Sequence, residues 1–251
     1  MSTSRNSYLE LYKEFRTHDN YNELYEATIS KLSSELNLSS VKSCLTIGPG
    51  DGQCEVAFIK QCAANISQLV AVEPDHESAK HLRTRLANSL PDVDSRVIET
   101  KIESWNALDD PVDLVLMMCV LYYIDATDQE ELFKKVHDRW LTTGGYIVVV
   151  NSSGTRCPGN MCECYERLGK PAPAWEDIEA ALLQVGFVKL LAYEMKCVRD
   201  FSKVDGVFQR FVENYLGRPV TLEEVRGIVE ELFPDGKCDR MIYTLAVFQK
   251  A

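Results

Sequence analysis

No run in this 251-residue chain is long and apolar enough to cross a bilayer. The longest, Leu114 to Ile124, falls well short of the roughly 20 residues a spanning helix needs. The opening MSTSRNSY has no apolar core of the kind a secretory leader carries, so a cytosolic protein with no membrane partner is expected. Basic residues are also in deficit, 27 Lys and Arg against 38 Asp and Glu, for a net charge of -11. There is no basic stripe, which argues against a nucleic-acid partner. The nine cysteines include no paired C-x-x-C spacing. Most stand in apolar stretches and read as reduced, buried thiols. Cys157, Cys162 and Cys164 cluster, but no second ligand pair stands at zinc spacing, so no metal is expected. Repeats and low-complexity segments are absent as well, leaving an ordinary globular composition with 45% apolar residues.

Within that composition, strand-like and helix-like segments alternate. Strands are expected at Ser43–Ile47, Gln68–Glu73, Arg96–Thr100, Asp113–Val120 and Gly145–Asn151. They are nearly continuous in Val, Ile and Leu, as strands buried on both faces should be. Helices are expected near Glu55–Ala64, His76–Ser89 and Gln129–Trp140, the last closed by Gly144-Gly145. After Asn151 the pattern predicts a loop with one short helix to Ala174. A helix at Trp175–Val185 and a strand at Val188–Val198 follow. Helices at Phe201–Tyr215 and Leu222–Phe233 precede a last strand at Met241–Gln249. Residues 7–36 read as amphipathic helix carrying Tyr8, Tyr12, Phe15, Tyr21 and Tyr25. These aromatics either pack on the sheet or wall a ligand pocket. The order predicts an α/β fold: a doubly wound, mostly parallel, seven-stranded Rossmann-like sheet.

Leu45 to Glu55 reads LTIGPGDGQCE, with Gly48, Gly50 and Gly52 alternating where the first strand meets a helix. Glycine lets backbone approach a ligand where a Cβ would collide, and the helix behind it aims its first amides at that ligand. Glu73 stands at the end of the second strand, twenty-one residues after Gly52. An acid there accepts from ribose hydroxyls, so turn and acid together imply an adenosine-containing ligand. The spelling is G-x-G-x-G rather than the dinucleotide G-x-G-x-x-G, with Gln53 in the slot of the missing glycine.

Four segments, IGPGDG at 47–52, VAVEPD at 70–75, Ile102-Glu103 and DLVLMMCVLYYI at 113–124, resemble the class I S-adenosylmethionine-dependent methyltransferases over about Ser43 to Ser153. Within them the chain is most similar to histamine N-methyltransferase, through Val72-Glu73-Pro74, Leu121-Tyr122-Tyr123 and Asn151-Ser152-Ser153-Gly154. The resemblance implies one methyltransferase domain over 1–251: a helical cap at 1–40, a cofactor core at 43–153 and substrate-side elements at 154–251 with a helical insertion at 199–240. It implies S-adenosyl-L-methionine as cofactor. Gly48, Pro49 and Gly50 would border its methionine part, Glu73 with Pro74 and Ser78 its ribose, and Ile102 and Glu103 its adenine, with Met118 beneath. Tyr122 and Tyr123 would face the substrate, with Tyr8, Tyr12 and Phe15.

The departures concern the acceptor. Many class I enzymes have an acid where Thr46 stands; the histamine enzyme has a small hydroxyl residue there too. Its pocket glutamate aligns near Tyr21, with Glu23 close by; its glutamine becomes Cys119 and its asparagine Tyr243. The expected activity is methyl transfer to a nitrogen of a small amine or imidazole metabolite by a monomer. The alternatives are an oxygen or sulfur acceptor on a small aromatic, or a cofactor-binding sensor without catalysis. No general base stands out; His18, Asp19, Glu23 and Tyr243 are the candidates. A cage of Tyr8, Tyr12, Tyr122, Tyr123 and Tyr243 is expected to hold a cationic acceptor through cation–π contact.

Overall fold

The computed structural model describes residues 8–152, 160–202 and 204–251. Parallel strands Ser43–Ile47 (β1), Gln68–Val72 (β2), Asp94–Ile98 (β3), Val112–Met118 (β4) and Leu141–Ser152 (β5) form the larger part of one sheet. Lys237–Lys250 (β7) is inserted between β5 and Phe187–Asp200 (β6) and runs antiparallel to both. The order of the seven is β3-β2-β1-β4-β5-β7-β6, the Rossmann-like methyltransferase fold.

Alternation along the central strands explains why they tolerate so little polarity. Leu114, Leu116 and Met118 of β4 point to one face, and Val115 and Met117 to the other. The first face is covered by Tyr8–Arg16 (α1), Tyr21–Glu35 (α2), Gln53–Cys62 (α3) and His76–Ser89 (α4). The opposite face takes Ala126–Lys135 (α5). Met161–Arg167 (α6) returns to the first face, and Trp175–Val185 (α7) to the second. Gly206–Leu216 (α8) and Leu222–Leu232 (α9), between β6 and β7, extend the first face; Phe211 of α8 stacks on Phe15 of α1 at 3.9 Å. Among the described residues no helix is long and apolar enough to cross a membrane.

β1, α4 and α7 match their predicted spans; β3 lies two residues earlier than expected, at Asp94–Ile98, β6 and β7 are longer than expected, and several other differences have local causes. The N-terminal amphipathic stretch is two helices, broken at 17–20, where Asp19 Oδ1 accepts from the Tyr21 amide at 3.2 Å. β4 ends at Met118, short of Val120, because Cys119 adopts φ 57, left-handed backbone that leaves the sheet. Gly144-Gly145 does not close a helix. The helical segment ends at Trp140 in a π turn, and both glycines lie within β5. Gly144 has φ 77 at an irregular pairing with β4, where a bulge needs that conformation. The helix expected from Phe201 begins only at Gly206, since β6 runs to Asp200 and Asp205 caps α8 by accepting from the Val207 and Phe208 amides. Cys162 and Cys164 are buried on α6; Cys157, Ser153 and Gly154 lie outside the described residues.

Between β2 and β4, β1 is the strand at which sheet order reverses. Ligands in such sheets bind beyond the carboxyl ends at this point. Gly52 holds α3 close to α4 there: a Cβ on it would stand 2.4 Å from Leu82 Cδ1, on backbone with φ 78. Gly52→Ala is expected to destabilise the fold by about 1–3 kcal/mol, lowering the melting temperature by several degrees. A thermal melt identical to wild type would show that this packing carries no weight.

Candidate active site

The turn after β1 puts Gly48 and Gly50 at φ 59 and Gly52 at φ 78. Two of these glycines serve close packing. A Cβ on Gly48 would lie 2.3 Å from Val120 Cγ2, and Gly52 meets Leu82 as described. Gly50 differs, because beyond its Cα there is open space within 4 Å. Its amide donates to Glu73 Oε2 at 2.8 Å, and the Asp75 amide donates to Oε1 at 2.9 Å. The acid at the end of β2 is thus clamped to the turn at the end of β1, with further lone pairs on each oxygen. Burial pushes the Glu73 carboxyl upward, and the two amides oppose that shift.

This corner opens into a cleft of about 740 Å³, within the range of small-molecule sites. Gly48, Pro49, Gly50, Glu73, Pro74, Ser78, Ile102, Glu103 and Met118 all line it. The lining fits an adenosyl group on several counts. Glu73 offers acceptors, Ile102 and Met118 offer apolar walls, and Gly50 leaves room. The Ser78 hydroxyl is buried without a partner among the described residues. Asp51, fixed by Arg85 Nη2 at 2.7 Å, reaches Lys13 of α1 at 3.5 Å and ties that helix over the cleft. Glu55, in the first turn of α3, is buried with Oε2 unpartnered among the described residues, and desolvation raises its carboxyl well above the ordinary range.

The other end of the cleft is aromatic. Tyr8 and Tyr12 come from α1, Tyr122 and Tyr123 from a 3₁₀ turn after β4, and Cys119 from the left-handed position before it. The Tyr8 and Tyr123 hydroxyls meet at 2.6 Å across the opening. Burial pushes all four phenols and the Cys119 thiol upward, so each keeps its proton at neutral pH.

Six expected site residues do not line the cleft. Phe15 is buried against Phe211. Tyr21 stands one layer behind, its hydroxyl 3.4 Å from Cys119 Sγ, and Tyr243 packs edge-on to Tyr21 at 4.8 Å. Glu23 is exposed on α2, and His18 sits 3.8 Å from Glu14 beside a separate hollow of about 20 Å³. The break at 17–20 takes His18, Tyr21 and Glu23 off the cleft, while Asn22 of the same stretch still lines it. Asp19 is also engaged elsewhere, bridging Arg16 and Arg199.

Nor do the tyrosines form a vacant cage. The guanidinium of Arg16 sits among them, 4.0 Å from the centre of the Tyr21 ring, 5.3 Å from Tyr12 and 5.4 Å from Tyr243. Sequence reasoning missed Arg16. The available signal was its spacing, since Tyr8, Tyr12 and Arg16 follow at i, i+4 and i+8 on one helical face.

A family model for a methyltransferase domain matches residues 44–145. The matched segment holds the glycine turn, Glu73 and strands β1 to β4. Solved structures agree on the fold across nearly the whole chain. YcgJ protein from Bacillus subtilis superposes with a TM-score of 0.61 at 13% identity, covering 90% of this chain and 97% of that one. N-methyltransferase NodS from Bradyrhizobium japonicum, solved with S-adenosyl-L-homocysteine, gives 0.55 at 16% identity, with 90% and 87% covered. A cyclopropane synthase from Mycobacterium tuberculosis gives 0.58 at 15%, with 89% and 83% covered. No curated protein matches the chain. At these identities the neighbours show the shape of the methyltransferase domain and leave the acceptor to be argued from the cleft.

Glu73 provides the sharpest test of the cofactor end. Each Glu73 oxygen accepts from one backbone amide, so Glu73→Gln sets an NH2 group against one of those donors and removes the charge. Affinity for S-adenosylhomocysteine, measured by calorimetry, is expected to fall about tenfold to hundredfold. In the wild type that affinity should weaken on acidification as pH falls through the raised Glu73 value, at higher pH than for an exposed carboxylate. The Gln variant should show no such step.

Proposed function

We propose that the chain transfers a methyl group from S-adenosylmethionine to a nitrogen of a small amine or imidazole-containing metabolite, in the manner of histamine N-methyltransferase. When bound, the cofactor supplies an electrophilic methyl carbon on a sulfonium. The residues around the cleft have then to hold the acceptor in line, and alignment of this kind supplies roughly 7–11 kcal/mol. Tyr8, Tyr12, Tyr122 and Tyr123 would do so from the aromatic end of the cleft, where the Tyr8 and Tyr123 hydroxyls share a hydrogen bond of 2.6 Å.

One observation carries the choice of nitrogen: the acceptor end offers no base. Its proton-accepting groups among the described residues are phenols and a thiol, all held protonated. A neutral amine or imidazole attacks with its own lone pair and sheds a proton afterwards. A phenol or alcohol must lose its proton first, and nothing here takes it. Enclosure under α1 favours a small acceptor over a polymer, consistent with the acidic chain.

A mass-spectrometric screen of imidazoles, amines, phenols and thiols with S-adenosylmethionine tests this. Methylated imidazoles or amines are the expected products. Phenol or thiol products alone would overturn the nitrogen assignment, and cofactor binding without any turnover would favour a sensor. Because deprotonation belongs to the acceptor, the pH midpoint of kcat/KM should move with the acceptor's basicity. A midpoint that stays fixed across acceptors would reveal an enzymic base.

A further inference from the structure

We infer that Arg16 is an anion-recognition residue, and that the acceptor carries a carboxylate or similar acidic group docked on it. The inference rests on the small-molecule methyl-transfer reading and narrows its substrate class. Arg16 is the last residue of α1, and its side chain is only 7% exposed, yet it forms part of the cleft wall. Three of its five N–H donors have oxygen partners. Nε donates to the Tyr12 hydroxyl at 3.1 Å, and Nη1 donates to Asp19 Oδ2 at 3.1 Å and to the Tyr243 hydroxyl at 3.4 Å. Among the described residues the Nη2 donors meet only the Cys119 sulfur, at 4.0 Å. The Nη2 edge of a side chain that lines the cleft is therefore supplied with a poor acceptor.

The charges point the same way. Asp19 is in ion-pair contact with both Arg16 and Arg199, so one carboxylate serves two guanidiniums. Glu14, Asp200 and Asp205 surround Arg199 from the separate small hollow and line no part of the cleft. Buried charges that are incompletely paired favour a counter-ion, and a planar guanidinium matches a carboxylate in particular. The same cation repels the positively charged acceptor that the tyrosines alone would have welcomed. Arg16 thus offers a reason for a neutral nitrogen at one end of the acceptor and an acid at the other. A purely structural Arg16, a strut joining α1 to α2 and β7, would make the same contacts to Asp19 and Tyr243 but would not discriminate among acceptors.

Discrimination is what the test reads. The full chain, saturated with S-adenosylhomocysteine, is titrated with histidine against histidinamide and with imidazolepropanoic acid against its amide. Each acid is expected to bind about tenfold to hundredfold tighter than its amide. In Arg16→Gln that gap should close, and Arg16→Lys should keep part of it. Equal affinity of acids and amides for the wild type would overturn the inference, as would a gap that persists in Arg16→Gln. Should the Gln variant fail to fold, the wild-type comparison decides alone. Methylation is scored in parallel, and this separates the two readings. Acids that bind preferentially but are never methylated would support the anion site and remove the nitrogen reading. Acids and amides that bind and react alike would do the reverse.

Discussion

The site depends on one hydrogen bond between two strand ends. The Gly50 amide donates to Glu73, so the turn leaving β1 and the turn leaving β2 are set by the same carboxylate. Asp75 supplies the second donor and also caps α4 by accepting from the Ser78 amide. Position of the Glu73 carboxylate, entry of α3 and start of α4 therefore cannot vary independently. Glycines on either side make this possible: Gly48 admits Val120 from the β4 side, and Gly52 admits Leu82 from α4. Burial of Glu73 opposes its charge, and two amides recover part of that cost. The arrangement favours a ligand that brings further donors, as a ribose diol does.

This half of the molecule was legible in the sequence because its determinants are local. An apolar strand, a glycine turn and an acid at the next strand end are readable within thirty residues, and the sheet order makes them adjacent. All nine residues assigned to the cofactor line the cleft. Some element boundaries failed where one residue's backbone overrode the apolar pattern, as Cys119 does in ending β4 and Gly144 in kinking β5.

The acceptor half was less legible, since its contacts join distant segments. Arg16 meets Cys119 from more than a hundred residues away and Tyr243 from more than two hundred. No spacing rule connects them. Aromatic residues at helical spacing were readable, but not which ring would face the cleft and which the layer behind. The break at 17–20 decided that: it leaves Tyr8 and Tyr12 at the opening, sends Tyr21 behind Cys119 and buries Asp19 between two arginines.

The arginine changes what the tyrosines are for. An empty aromatic box attracts cations, whereas one already holding a guanidinium is a scaffold that orients it and leaves one edge free. The hydroxyls of Tyr12 and Tyr243 accept from Arg16, and Asp19 holds it from behind. The rings then restrict its rotamers, so less freedom is lost when an anion binds. The acidity of the chain as a whole fits this division of labour. A net charge of -11 acts over the surface, where salt screens it. At the acceptor end of the cleft the near charge is that of Arg16, and it is positive.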